Sequence, residues 1–200
     1  MIDGINKRIV AHEFGHIVAS MTHDNFLMPS RMVLKKDGYA EAYTLFDDVP
    51  FKNLGTIKKN LTNVKNLCNL GGIFGELLVY GSWTPWQARQ DLDEFVTLNI
   101  KRQKLVKEIV AWMWLDTDPQ SFVELVREDY RNRAKKIRNH IFFSENQMVE
   151  RLPLLHSTYC DFLSIIHQDE FKAIVNEIYA DGRTVYTKRN FAKFAERVIL

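Results

Sequence analysis

Two histidines and a glutamate near the start of this chain have the spacing of metal-assisted hydrolysis: Ala11-His12-Glu13-Phe14-Gly15-His16. An α-helix turns about 100° per residue, so His12 and His16 stand one turn apart on one face. Two imidazoles so placed can share one Zn²⁺, each at about 2.0–2.1 Å. Glu13 falls on the flank of that pair, where it can take a proton from a water polarised by the ion. Val10, Phe14, Ile17 and Met21 form an apolar stripe on the other side, which would anchor the helix in a core.

The pattern predicts a first helix over residues 4–23. Residues 31–36 and 39–46 read as strands flanking Asp37-Gly38, a hairpin-turn dipeptide. A second helix is expected over 56–80, where Ile57, Leu61, Val64, Cys68, Gly71, Gly75 and Leu78 follow a three-four rhythm. Leu67, Leu70, Phe74 and Leu77 add a neighbouring stripe, so this helix should be buried on more than one side. Each glycine costs about 1 kcal/mol against alanine in a helix, which points to a close neighbour there. A third helix should begin at Thr84-Pro85 and run past 98, and a fourth at Asp118-Pro119. Ser144-Glu145-Asn146-Gln147 has the form of a capping box for a fifth, and Pro153 should bend or restart that segment. Two last helices are expected over 169–180 and 188–199, separated by Asp181-Gly182, with Thr187 as a cap. The sum is a mainly α fold with one small β-sheet or hairpin.

A hydrolytic zinc site needs a third protein ligand and an open position. His23 lies too far along the motif helix, and His140, His156 and His167 belong to the C-terminal part. A carboxylate is the better choice, and Asp91 leads. Ala88, Asp91, Phe95 and Leu98 share one helical stripe, and an ionised carboxylate on an apolar face needs a partner such as a divalent cation. Pairing of Asp91 with a basic neighbour such as Arg89 is the bland reading. Glu76 and Glu41 compete as ligands, and Glu76 could instead orient a ligand histidine without touching the metal.

His12-Glu13-Phe14-Gly15-His16 resembles the His-Glu-Ala-Gly-His of the FtsH-type ATP-dependent zinc proteases. Met32-Val33-Leu34 and Tyr43-Thr44 look like that family's strands after the motif helix. Leu70-Gly71-Gly72-Ile73-Phe74-Gly75-Glu76-Leu77-Leu78-Val79-Tyr80-Gly81 is similar to its Leu-Gly-Gly-Arg-x-Ala-Glu-Glu-Leu-x-x-Gly segment. Gln90-Asp91-Leu92 falls where the family has Asn-Asp-Leu or Asn-Asp-Ile, whose aspartate binds zinc. Order and separation agree over about 7–99, roughly half the chain. The resemblance implies a helical zincin-like peptidase fold, His12, His16 and Asp91 as zinc ligands, and Glu13 as general base. The chain is expected to form one domain overall, a zinc peptidase-like core over 1–115 with a C-terminal helical region over 116–200 packed on it. Phe14 stands where the family has a small residue, and Pro85-Trp86-Gln87-Ala88-Arg89 replaces its Thr-Gly-Ala approach to the aspartate; both bear on the substrate cleft.

Composition narrows the function further. With 200 residues and 46% hydrophobic content the chain can bury a full core, and a formal charge of +2 gives no reason to expect a polyanionic partner. The basic run 131–138 has acidic neighbours and reads as a solvated helix face, so no nucleic acid is expected. Trp83, Trp86, Trp112 and Trp114 read as core or interface anchors. Cys68 and Cys160 fit neither a zinc knuckle nor a disulfide scaffold, and no apolar run reaches the ~20 residues of a membrane span. A soluble, cytoplasmic protein is expected. These residues carry no phosphate-binding Gly-Lys-Ser/Thr loop, so the expected activity is ATP-independent. Its partners would be peptides or unfolded proteins, with a separate ATPase or a homo-oligomer as further possibilities. The alternatives are a catalytically degenerate zinc-binding interaction module and an ImmA/IrrE-type regulator-cleaving protease with Glu41 as ligand.

Overall fold

The computed structural model describes residues 6–21, 28–34, 43–47, 54–83, 91, 143–146 and 153–200. The protein is mostly helical with small antiparallel sheets. Helix α1 spans Lys7–Met21, and every residue from Val10 to Ser20 is buried. A helix buried on all sides must be the centre of the fold, packed by a different element on each face. Asn6 caps it, its side-chain oxygen accepting from the Arg8 backbone N–H at 2.9 Å.

Helix α2, Leu54–Tyr80, lies against α1 closely enough that side chains are excluded at the crossing. A Cβ on Gly71 would lie 2.6 Å from the Gly15 carbonyl oxygen and 2.9 Å from Ala19 Cβ, and one on Gly75 would strike the Ala11 carbonyl. The glycines expected to mark a close neighbour do so, and that neighbour is the motif helix. Gly81, at φ +64°, ends α2 in the left-handed conformation, its N–H closing onto Leu77 O at 2.7 Å.

Strands β1 (Met28–Val33) and β2 (Tyr43–Asp47) pair antiparallel, with a register shift between Pro29 and Arg31. Proline has no N–H to give the ladder, which accounts for the irregularity at that point. Asp37-Gly38 lies outside the described residues. Strand β3 (Ser82–Trp83) pairs with β4 (Phe143–Ser144), and helical residues Glu145 and Asn146 follow directly, where the capping box was expected. The expected helices beginning at 84 and 118 lie outside the described residues, apart from Asp91, which is helical.

Pro153 opens α3 (Pro153–Ser164), the restart expected from a ring that suits a first helical turn. Helix α4 (Gln168–Asp181) has Asp169 and Glu170 in its first turn and ends on Gly182 at φ 66°. Strand β5 (Val185–Thr187) follows, then α5 (Lys188–Val198), where the Asn190 side chain accepts from the Thr187 backbone N–H at 2.9 Å. Strand β5 adds to β1 on the side opposite β2, so the two strands expected as a hairpin are two of the three in a sheet ordered β2-β1-β5. Tyr186, on that strand, is buried and donates its hydroxyl to Asp181 at 2.8 Å.

The C-terminal helices and the motif helix share one core. Phe14 is fully buried, 5.0 Å from Phe171 and 6.0 Å from Phe194 between ring centres. Phe74 of α2 meets Tyr159 and Phe162 of α3, each at 5.5 Å. Phe14 therefore points into α4 and α5 and fastens α1 to them. No helix among the described residues is long and apolar enough to cross a membrane.

Candidate metal centre

Arg8, His12 and His16 form a row along α1, each one turn from the next. Both imidazoles are buried, and Asp91 brings its carboxylate to them. His12 Nε2 and His16 Nε2 are 3.2 Å apart, and Asp91 Oδ2 lies 3.0 Å from the first and 3.3 Å from the second. Among the described residues this is the one cluster of three groups able to hold a metal ion.

The far nitrogens decide what the near ones can do. His16 Nδ1 lies 2.6 Å from the Cys68 carbonyl oxygen, which can only accept, so this nitrogen carries the proton and donates. His12 Nδ1 donates in the same way to Glu76 Oε1 at 2.8 Å. In their neutral forms both rings thus present bare Nε2 lone pairs to each other and to Asp91. Asp91 Oδ2 is itself a buried oxygen without a well-formed hydrogen bond. With both rings neutral, three electron-pair donors converge with no hydrogen between them, which is unfavourable unless a cation, a proton or a metal ion, joins them.

The spacing fits such a cation. Tetrahedral zinc with bonds of about 2.0–2.1 Å separates its ligand atoms by roughly 3.3–3.4 Å. The three observed separations, 3.0, 3.2 and 3.3 Å, need only slight opening. Gly72 of α2 leaves the necessary room: a Cβ there would lie 2.6 Å from His16 Nε2 and closer still to His12 Nε2.

Electrostatics agree. Burial opposes charge on His12, but Asp91 and Glu76 outweigh it and hold its pKa well above the usual imidazole value. Burial likewise opposes charge on His16; Asp91, with a smaller contribution from Glu13, raises its pKa despite the repulsion of His12. Burial would raise the Asp91 carboxyl, yet the two rings push it well below the usual carboxylate range. The pocket stabilises positive charge. Glu13 is buried, and its influence on His16 places its charge near that ring.

The structure thus brings together His12, His16 and Asp91, with Glu13 nearby and Glu76 behind His12. Glu76 is completely buried and bonded to the far side of the His12 ring. His156 stands beside Glu145 and Cys160, and His167 is exposed before α4, both apart from the cluster. His23, Glu41, His140, Trp86, Trp112, Trp114, the segment 85–89 and the basic run 131–138 lie outside the described residues. Trp83 is fully buried in the core, as expected. Three contributors were not foreseen: Arg8, the Cys68 carbonyl and Gly72. Arg8 alone left a sequence signal, standing four residues before His12 on its face.

The chain matches no family model and no curated protein.

Proposed function

We propose that the protein is a zinc-dependent metallopeptidase of zincin-like fold. The reading rests on one observation above all: His12 Nε2, His16 Nε2 and Asp91 Oδ2 face one another at zinc-ligand separations, with both Nδ1 protons committed elsewhere. His12, His16 and Asp91 would hold the ion with three protein atoms, the number used by hydrolytic rather than structural zinc sites. Zinc, when bound, supplies Lewis acidity that activates water and polarises a carbonyl.

The protein's own residues supply the rest. His12 and His16 hold the site at fixed ring orientations, and Asp91 contributes the negative charge that favours a divalent cation over a proton. Glu13 follows directly after a ligand on the same helix and is buried with it. Its carboxylate would accept a proton from the water as the C–O bond forms and pass it to the nitrogen as the C–N bond breaks; the water's second proton follows, leaving a carboxylate and an ammonium as products. Substrates reaching this site without an unfolding motor would be peptides or unfolded segments.

The test pairs metal content with cleavage. The purified protein should hold about one zinc per chain, and Asp91→Ala should lose it. Glu13→Gln should keep zinc and fold while hydrolysis of an unfolded protein substrate falls at least ~100-fold. A zinc-loaded wild type that cuts no peptide pool would favour the interaction-module reading.

A further inference from the structure

We infer that Arg8 is a positioning residue for the metal centre, holding Glu76 as a fixed anion against His12. The inference rests on the proposal that His12 is a metal ligand.

Glu76 has no exposed surface, so its charge must be matched locally. Its two oxygens divide the task. Oε1 accepts from His12 Nδ1 at 2.8 Å, and Oε2 accepts from an Arg8 guanidinium nitrogen at 3.0 Å. Arg8 and His12 are one turn apart on α1, so a single carboxylate from α2 bridges two neighbours in the row that ends in His16. The guanidinium is fixed in turn. It donates to Ser82 O at 2.8 Å and to Ser82 Oγ at 3.4 Å, and it lies over the Tyr80 ring at 4.3 Å.

The arrangement makes Arg8 more than a clamp on the end of α2. Without the guanidinium, Glu76 Oε2 loses the bond that sets the plane of the carboxylate, and Oε1 can swing away from the His12 Nδ1–H it accepts from. The ring would then be free to turn or to change tautomer, and its Nε2 lone pair would no longer be aimed at Asp91 Oδ2. Partners of this kind behind a ligand histidine change metal affinity about 10–100-fold.

The experiment is a double-mutant cycle read by zinc competition against a chelator, with metal-free thermal unfolding reporting any purely structural share. Arg8→Met and Glu76→Gln should each weaken zinc retention by about 10–100-fold. The double variant should be no weaker than the worse single one, and Arg8→Lys should recover part of the loss. The ring proton on His12 Nδ1 supplies a second readout in the metal-free protein by NMR. Its resonance should shift or vanish in Arg8→Met. Wild-type zinc affinity in Arg8→Met, or penalties that multiply in the double variant, would overturn the inference. If Arg8→Met does not fold, Arg8→Gln, which also removes the charge but keeps a polar tip, carries the same comparison. If the wild type takes up no zinc, the metal reading fails and the His12 proton still decides whether Arg8 acts through Glu76.

Discussion

Gly72→Ala should remove metal binding while leaving the fold standing. The new Cβ would come within 2.6 Å of His16 Nε2 and nearer to His12 Nε2, a separation that Cβ contacts do not adopt. Ordinary contact begins near ~3.5 Å, so the rings would have to retreat by roughly 1 Å. Their retreat is opposed by the bonds at their far ends, 2.8 Å to Glu76 and 2.6 Å to the Cys68 carbonyl. Metal ligation tolerates only about ±0.2 Å. Zinc affinity should therefore fall by more than ~100-fold, or about 2.8 kcal/mol. Alanine is favoured over glycine in a helix by about 1 kcal/mol, which offsets part of the local strain in the metal-free protein. Chelator competition should show the lost affinity, and the rise in Tm on adding zinc should disappear while the metal-free Tm changes little. Gly71→Ala provides the contrast. Its Cβ meets the Gly15 backbone rather than side-chain tips, so it should separate α1 from α2 and destabilise the metal-free fold by about 1–3 kcal/mol. Full zinc retention in Gly72→Ala would refute the geometry on which the site is built.

Phe14→Ala should destabilise the fold by about 3–5 kcal/mol in denaturant titration, because its ring fills the space between α1 and the helices bearing Phe171 and Phe194. In the metal-free protein the raised pKa values of His12 and His16 contribute stability that is present below the unfolded value of about 6.5 and lost as pH rises through the folded values. The depressed Asp91 contributes stability present above its unfolded value of 3.8 and lost as pH falls. The trio should therefore stabilise the metal-free fold most in mildly acid solution, and the zinc-induced gain in Tm should grow as pH rises above about 6.5, as the two raised imidazoles give up their protons; a gain that shrinks with pH would contradict this. Native alkylation followed by mass spectrometry should label exposed Cys160 and spare Cys68, which is buried and whose thiol burial pushes up to about 12.

What the sequence made legible was local or strongly periodic. The four-residue step from His12 to His16 fixes both rings on one helical face whatever the rest of the chain does. Gly71 and Gly75 announced a close helix crossing because glycine inside a helix is costly without a close neighbour. Asp91 was recognisable as a charge on an apolar stripe, and its meeting with the histidines needed the tertiary fold or the family resemblance. Other features had no local signature. Strand β5 is three residues between two helices, too short for alternation to register, and it is a strand because β1 offers it an edge. The Cys68 carbonyl orients His16 through its backbone, which no side-chain reading can reveal. Gly72 stands off the stripe of Gly71 and Gly75, and the space it leaves belongs to the histidine rings, which only the tertiary fold brings there. Phe14, by contrast, is buried in the core where its place on the apolar stripe with Val10 and Ile17 put it, the helical step from Glu13 swinging its side chain by about 100°.

X-ray absorption at the zinc edge of the metal-loaded protein tests the central claim most directly. The expected spectrum has a shell of nitrogen and oxygen at about 2.0–2.1 Å with the multiple-scattering signature of two imidazoles, reduced in Asp91→Ala and missing in His12→Ala. A sulfur shell near ~2.3 Å, or an unchanged spectrum in His12→Ala, would place the metal elsewhere and contradict it.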